Sequence, residues 1–237
     1  MIAALAGCLA GLDRLDAPFV LAMGMEGARS LAPDGEGAML VAGEGGVWRV
    51  DGQGGTTRVV EGPVEAVTAR RHEIYTLYQG RLSWDGGSVD VPGAVDIAIW
   101  YDERVRVLTP TALWEVEPAT GKLEMLDVAL TAARSMTLRP ERRMLVVDGD
   151  RLIDVGGHWE VPTPPDALVA VVDGSDRVLL VAGHPAQLWR WEGQWRLVAP
   201  VLGDAVDLMP GFGPGFPTEN LYFADGSGAL TYLRLGD

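Results

Sequence analysis

The chain has 237 residues, of which 48% are hydrophobic and 22% charged, and its net charge of −14 argues against nucleic acid and anionic membranes as partners. Its single cysteine, Cys8, excludes an intrachain disulfide, and no apolar run approaches the roughly 18 residues that a bilayer-spanning helix needs. These features predict one folded, soluble, cytoplasmic domain over residues 1–237.

A short pattern of apolar runs and polar turns occurs six times along the chain. Each copy has an apolar run, a tight turn, a second apolar run, and a shorter run that ends in an acidic or glycine turn. Their starts lie 31 to 43 residues apart. The copies are Met39–Val50, Ile74–Gly86, Val105–Val116, Met144–Gly156, Val178–Glu192 and Leu221–Leu233. A unit with strands and no helices at this period predicts a β-propeller.

Each copy resolves into four strands. In the first unit we predict strands at Ala28–Ala32, Met39–Ala42, Val47–Asp51 and Thr57–Val60. The third strands alternate between apolar and charged residues, so their tryptophans share one face and should pack between adjacent blades. These tryptophans are Trp48, Trp114 and Trp189. Asp-Gly pairs indicate tight hairpins, and the one candidate for a short helix is Asp127–Ala133.

The last copy has three strands before the sequence ends, whereas an extra strand precedes the first copy. The best extra strand is Asp16–Met23. We expect it to complete the sixth blade, because closing the ring in this way covers sheet edges that would otherwise invite aggregation. The preceding segment, Met1–Leu12, is expected to extend that strand or pack across one end.

On this evidence the whole chain resembles the six-bladed members of the β-propeller superfamily. It matches no specific subfamily. Trp84-Asp85 stands alone without the other landmarks of WD40 repeats, and Glu117–Lys122 resembles the turn of quinoprotein-like repeats but occurs once. The resemblance therefore implies six four-stranded antiparallel blades and carries over no quinone cofactor.

A charged residue stands near the start of every predicted first strand, which lines the central channel of a propeller. These residues are Arg29, Glu65, Asp96, Arg134, Asp166 and Asp207. Equivalent places in a closed array form a circle, so the sequence predicts a charged ring at one channel mouth, with Arg29 opposite Arg134. Two interpretations remain open: a binding site for a ligand, and a collar of ion pairs.

The same ring bears on metals and catalysis. Its four acids would supply oxygen ligands for Ca²⁺, as in lactonase-like six-bladed propellers. The two arginines would repel a dication, and Asn220 is the only asparagine, whereas that family uses asparagine ligands. We therefore predict no metal and no cofactor, with Ca²⁺ as the alternative. No catalytic residue is predicted either; among three dispersed histidines, His184 is the best candidate for a general base.

The loop Pro210–Glu219 is longer than its counterparts and carries Phe212 and Phe216. It is either a candidate contact surface for a partner or a cap whose two rings fold back over the blade. From the acidic surface and the lack of a catalytic motif, we predict a non-catalytic protein-interaction scaffold within a bacterial multiprotein system. The alternatives are a metal-dependent, lactonase-like hydrolase or lyase, and a sensor that binds a small anionic ligand or peptide through Arg29 and Arg134.

Overall fold

A computed structural model describes residues 18–99, 104–139, 143–156, 159–173, 175–199 and 202–235. Within these ranges the chain forms β-strands connected by turns, without a helix. The described ranges accordingly contain no helix with the length and apolar character needed to cross a membrane. The expectations for Met1–Leu12 and Cys8 fall outside them.

The strands form six four-stranded antiparallel sheets, which we call blades 1 to 6. Blade 1 contains β2 (Ser30–Pro33), β3 (Met39–Gly43), β4 (Gly46–Val50) and β5 (Thr56–Glu61). Blade 2 contains β6 (Ala66–Arg70), β7 (Glu73–Tyr78), β8 (Arg81–Trp84) and β9 (Gly87–Asp90). Blade 3 contains β10 (Asp96–Ile99), β11 (Val105–Thr109), β12 (Ala112–Glu117) and β13 (Lys122–Leu126). Blade 4 contains β14 (Ala133–Arg139), β15 (Arg143–Asp148), β16 (Arg151–Val155) and β17 (Trp159–Pro162). Blade 5 contains β18 (Ala167–Val172), β19 (Val178–Ala182), β20 (Gln187–Trp191) and β21 (Trp195–Ala199). Blade 6 contains β22 (Ala205–Pro210), β23 (Asn220–Asp225), β24 (Leu230–Arg234) and β1 (Phe19–Ala22).

The first strands of the blades form a closed ring. Going around it, β2 contacts β6, then β10, β14, β18 and β22 follow, and β22 contacts β2 again. Blade 1 therefore lies opposite blade 4, and blade 3 lies opposite blade 6. The predicted six-bladed β-propeller with four-stranded antiparallel blades is confirmed.

The sixth blade is completed by the N-terminal strand, as predicted. Strand β1 pairs antiparallel with β24, and Phe19 lies opposite Tyr232 with the two ring centroids 5.4 Å apart. The described strand begins at Phe19, so the predicted positions Asp16 and Ala17 fall outside the described residues. Closure thus joins the two ends of the described chain within one sheet.

The Asp-Gly turns owe their regularity to the aspartate side chains. In four of them, one carboxylate oxygen accepts the N–H groups two and four residues later at 2.7–3.1 Å, as in Asx turns. These aspartates are Asp34, Asp51, Asp173 and Asp225. The aspartate carboxylate therefore holds the chain reversal closed.

The segment offered as a short helix, Asp127–Ala133, is irregular up to the start of β14. The carboxylate of Asp148 accepts the N–H groups of Thr131 and Ala132. Because these donors are bound to a side chain, they are not available for helical hydrogen bonds.

The cores lie between blades, and the three tryptophans lie in them as predicted. Trp48 packs in the cluster shared by blades 6 and 1, Trp114 in that of blades 2 and 3, and Trp189 in that of blades 4 and 5. Trp48 is 8% exposed, whereas the other two are half-buried. Burial of the ring is therefore complete at one of the three sites.

Removing Met1–Met23 should destabilise the protein and promote self-association, because it bares the edge of β24. We expect a melting temperature lower by several degrees, as follows from a loss of a few kcal/mol in a domain of this size. Thermal unfolding and sedimentation should be compared with a control that starts at Pro18 and keeps β1. Equal stability and a monomeric state for both variants would contradict the role of β1.

Replacing Trp48 with alanine should cost about 3–5 kcal/mol of unfolding free energy, since the whole ring is lost from a packed cluster. Trp114→Ala is the matched control and should cost clearly less, because its ring is half-buried. Urea denaturation of both variants measures the difference. A cost at Trp48 no larger than that at Trp114 would show that burial does not set the energy here.

Candidate functional site in the central channel

A cavity of about 520 Å³ lies on the axis of the ring, bounded by the first strands of all six blades. Its walls carry valine, leucine, isoleucine and methionine side chains, among them Val67, Ile97 and Val169. Charged and hydroxyl side chains lie near the ends where these strands begin. The cavity thus combines apolar walls with a few polar groups, which is typical of small-molecule sites.

Strand pairing identifies equivalent positions in the six first strands that form this wall. In every blade, one residue of the first strand pairs with the penultimate residue of the second strand; we call this the inner position. The inner positions are Ser30, Ala66, Asp96, Ser135, Val169 and Asp207. The residue immediately before it is the mouth position. The mouth positions are Arg29, Glu65, Val95, Arg134, Leu168 and Val206.

The structure divides the six charged residues among three levels. Arg29, Glu65 and Arg134 occupy the mouth position, whereas Asp96 and Asp207 occupy the inner position, about 3.3 Å further along the strand. Five of the six line the cavity. The predicted single register is thereby corrected: an alignment by charge alone does not see the one-residue bulges and the unequal turns that precede the strands.

Asp166 lies outside the channel wall. It precedes the inner position of blade 5 by three residues, and its backbone has a φ of 55°. It lines a separate cavity of about 290 Å³, together with His184 and Trp189. The candidate base His184 is therefore also placed away from the central channel.

The mouth residues are bonded to groups outside the ring. Arg29 donates to the carboxylate of Glu44 at 2.7 Å, in an exposed ion pair. Glu65 accepts the N–H of Gln79 at 2.9 Å, and Arg134 reaches the carbonyl of Ala167 at 3.4 Å. Among the described residues, no ion pair joins two members of the predicted ring. The described side chains therefore do not form a collar of ion pairs.

Asp96 and Asp207 lie on opposite blades and have equivalent bonds. Asp207 accepts the N–H of Leu31 in the next blade at 2.6 Å and that of Leu208 at 2.7 Å. Asp96 accepts the N–H of Met136 in the next blade at 2.7 Å and that of Ile97 at 2.8 Å. Each carboxyl group therefore links two blades and keeps some surface in the channel.

Both carboxyl groups are harder to ionise than an ordinary aspartate. Burial raises the pKa of Asp96 to about 7, against the opposing effect of its two backbone hydrogen bonds. Burial and the charge of Asp96 raise the pKa of Asp207 to about 8. Near neutral pH the channel can therefore gain or lose protons at these two groups, which is a frequent property of binding and catalytic sites.

Two serines at the inner position were missed by the sequence reasoning. Ser30 accepts the N–H of Val67 in blade 2 at 3.2 Å, and the hydroxyl of Ser135 is buried without a hydrogen-bond partner. A signal was present in the sequence, since Ala-Arg-Ser occurs at both 28–30 and 133–135 and Val-Asp at both 95–96 and 206–207. The two halves of the channel wall thus repeat each other.

The long loop of blade 6 folds back over its own blade. Phe216 is completely buried against Tyr222, so it is not available to a partner, and of the two interpretations of this loop the fold-back applies to it. Phe212 stacks on Phe216 with centroids 5.1 Å apart and lines the far end of the channel. The loop therefore forms part of the cavity wall through Phe212. Its aromatic rings pack against each other and against the blade because packing is more favourable than exposure to water.

In the part of the chain that the structure describes, no three His, Cys, Asp or Glu side chains come together in a group that could hold a metal ion. Ca²⁺ usually requires six to eight oxygen ligands. The described donor set does not fit the calcium alternative.

Comparison with known proteins identifies the fold and no family. No protein-family model matches the chain, and no curated protein matches it either. Solved structures do match. A gluconolactonase from Xanthomonas campestris is 12% identical, with a TM-score of 0.72, over 95% of this chain and 91% of that one.

Other similar structures have different functions. The virginiamycin B lyase of Staphylococcus aureus, solved with quinupristin, is 11% identical, with a TM-score of 0.64, over 93% of this chain and 99% of that one. A chain of a mitotic checkpoint complex is 12% identical, with a TM-score of 0.60, over 85% and 72%. At such identities the likeness shows the β-propeller fold alone.

The raised pKa values predict that stability falls as the pH rises from about 4 to about 8. In that range the folded protein keeps protons on Asp96 and Asp207 that the unfolded chain, with an ordinary pKa of 3.8, has released. The effect should be on the order of a few kcal/mol. Urea denaturation at several pH values should show that Asp96→Asn with Asp207→Asn abolishes this component.

The matched control is Asp204→Asn, which removes a carboxylate from an exposed turn three residues before Asp207. It should leave the pH dependence unchanged. If the double variant keeps the wild-type slope, the two carboxyl groups titrate normally and the expectation is wrong.

Proposed function

We propose that the protein binds a small organic molecule in its central channel. The observation that carries this proposal is the cavity of about 520 Å³, which lies within the range of about 300–1,000 Å³ usual for ligand sites. Its walls are largely apolar, and its polar side chains are concentrated at two opposite corners. A closed ring of blades also keeps this arrangement rigid, which lowers the entropic cost of binding.

Each corner is built from two adjacent blades. One corner contains Arg29 and Ser30 of blade 1 with Asp207 of blade 6, and the other contains Arg134 and Ser135 of blade 4 with Asp96 of blade 3. Between the corners the wall is formed by blades 2 and 5, where the inner positions are alanine and valine. A ligand that combines an apolar body with a polar group matches this distribution of surface.

An enzymatic role would use the same cavity. Two of the similar structures are a gluconolactonase and a lyase. At 11–12% identity neither activity is carried over to this chain, and the described residues do not assemble the metal ligands that a lactonase-like mechanism would require. We therefore propose ligand binding without assigning a reaction.

A protein-binding scaffold is the second candidate. It is supported by apolar side chains exposed at the outer rim: Phe19, Val20 and Met23 at β1, and Met125 on β13, are 49–72% exposed. Exposed apolar groups of this kind are more frequent at contact surfaces. One similar structure is a chain of a mitotic checkpoint complex.

A substitution that closes the mouth of the channel tests the first proposal. Val206 lies at the mouth position and is 40% exposed, so Val206→Trp adds bulk at the entrance without disturbing a packed core. In a small-molecule screen by thermal shift and calorimetry, compounds that bind should lose affinity at least tenfold in this variant. Val59→Trp, on the outer strand β5, is the matched control and should bind normally.

Two results would count against the channel as the site. One is equal weakening by Val59→Trp, and the other is full affinity in Val206→Trp. A protein partner that binds both variants equally would instead support the scaffold candidate, because the exposed apolar residues of β1 and β13 are unchanged in both.

A further inference from the structure

Among the described residues, the half-buried channel aspartates Asp96 and Asp207 differ from four fully buried acids of this protein in having no cationic partner. Four buried acids each form an ion pair with an arginine: Asp34 with Arg49, Asp148 with Arg151, Asp173 with Arg177 and Glu115 with Arg106. Among the described residues, the bonds of Asp96 and Asp207 come from backbone N–H groups alone. An acid held inside a protein without a counter-ion is destabilised in its ionised form.

The contrast with Asp148 shows what a cation contributes. Burial opposes ionisation of Asp148, but hydrogen bonds from Ala132, Thr131 and Arg151 together outweigh burial and lower its pKa. Asp96 and Asp207 also have two backbone donors each, but they lack the further side-chain donors that Asp148 has, the Thr131 hydroxyl and the Arg151 guanidinium. A cationic ligand would supply the missing charge.

The remaining charges around the channel also favour a cation. Among the charged mouth residues, Arg29 forms an ion pair with Glu44. The other two, Arg134 and Glu65, carry opposite charges, which cancel in the net charge of the cavity lining. The facing residues of β18, Leu168 and Val169, carry no charge. When both aspartates are ionised, the channel therefore has excess negative charge, and the net charge of −14 on the whole protein adds to the attraction.

A third acceptor lies near Asp96. Ser135 lines the cavity and its hydroxyl is buried without a hydrogen-bond partner, and its neighbour Met136 donates its N–H to Asp96. A protonated primary amine has three N–H donors and no acceptor. Two carboxylates and one hydroxyl match that number, whereas Ca²⁺ would need six to eight oxygens.

We propose that the channel ligand is an organic ammonium compound whose protonated amine binds between Asp96 and Asp207 and whose alkyl part lies against the valine, isoleucine and leucine side chains of the channel wall. This inference rests on the proposed function, because it defines the chemical class of the ligand for the same cavity. It replaces the anionic ligand expected at the arginine pair, since Arg29 is already bound to Glu44.

Binding should be linked to protons. The titratable and charged groups that face the pair are Arg29 with Glu44, Glu65 and Arg134, and the two aspartates have pKa values raised into the neutral range. An ammonium group stabilises the ionised carboxylates, so binding near pH 7 should release protons. Affinity should consequently rise between pH 6 and pH 8.

The test uses three probes with the same alkyl chain: hexylamine, hexan-1-ol and hexanoate. By calorimetry at pH 8, hexylamine should bind at least tenfold more tightly than hexan-1-ol, and hexanoate should bind most weakly. Titrations at pH 7 in two buffers with different ionisation enthalpies should show net proton release for hexylamine. Asp96→Asn and Asp207→Asn should each weaken hexylamine at least tenfold, whereas Asp204→Asn should not.

The outcomes separate this inference from the proposed function. If hexan-1-ol or hexanoate binds as tightly as hexylamine and Val206→Trp blocks it, the channel is a ligand site and the ammonium assignment is wrong. If no compound, in this series or in the wider screen, depends on Val206, the proposed function fails as well. Ca²⁺ binding tighter than about 10⁻⁴ M that is lost in Asp96→Asn would overturn the assignment in favour of a metal.

Folding of the aspartate variants is checked by their melting temperatures. Should either fail to fold, Ser135→Ala provides an independent measure, because it removes the third acceptor and leaves the inter-blade bonds of both carboxyl groups in place. It should weaken hexylamine several-fold and leave hexan-1-ol unchanged. Equal affinities of hexylamine for Ser135→Ala and the wild type, together with no proton release, would contradict the inference.

Discussion

The innermost strand of each blade is a sheet edge, and the whole structure depends on how that edge is satisfied. The backbone N–H groups on the channel side of this strand have no further strand of the same blade to pair with. Unpaired backbone donors inside a protein cost free energy. In three places a side chain of one blade accepts such a donor of the next: Ser30 from Val67, Asp96 from Met136 and Asp207 from Leu31. The same side chains join the blades and line the channel.

This double role explains why the channel has unusual chemistry. An acid that must reach the edge of the neighbouring strand is held deep in the ring, where burial raises its pKa. The bonds that fix the carboxyl groups also leave them without a positive partner among the described residues. Stability of the ring and electrostatics of the cavity are therefore coupled through Asp96 and Asp207, and a ligand that neutralises them would also stabilise the fold.

The channel wall repeats after three blades. Ala28–Leu31 and Ala133–Met136 are alike in sequence, and the strands that follow share Met-Leu-Val at Met39–Val41 and Met144–Val146. Blades half a ring apart thus present equivalent polar corners on opposite walls. The equivalence is broken in blades 2 and 5, where Glu65 at the mouth corresponds to Leu168, so the two sides of the cavity differ in charge.

Much of the fold was determined by local sequence pattern. Strand periodicity, turn residues and the spacing of the copies identified the blades, and the missing fourth strand identified closure by an N-terminal strand. The tryptophans of the third strands were placed correctly between blades because alternation along a strand assigns each side chain to one face. All of these features depend on neighbours a few residues apart, or on exact repetition, so they can be read along the chain.

The candidate site depends on contacts between segments that are distant in sequence, which the local sequence pattern does not show. A bulge or a turn one residue longer shifts a side chain to another level, and the charge pattern could not separate Arg29 at the mouth from Asp207 at the inner position. The burial of Phe216, the pairing of Arg29 with Glu44 and the bonds between blades likewise arise only when distant segments meet. The sequence by itself therefore determined the blades and their order, whereas the tertiary structure decided which charges share the channel and which of them have no cationic partner among the described residues.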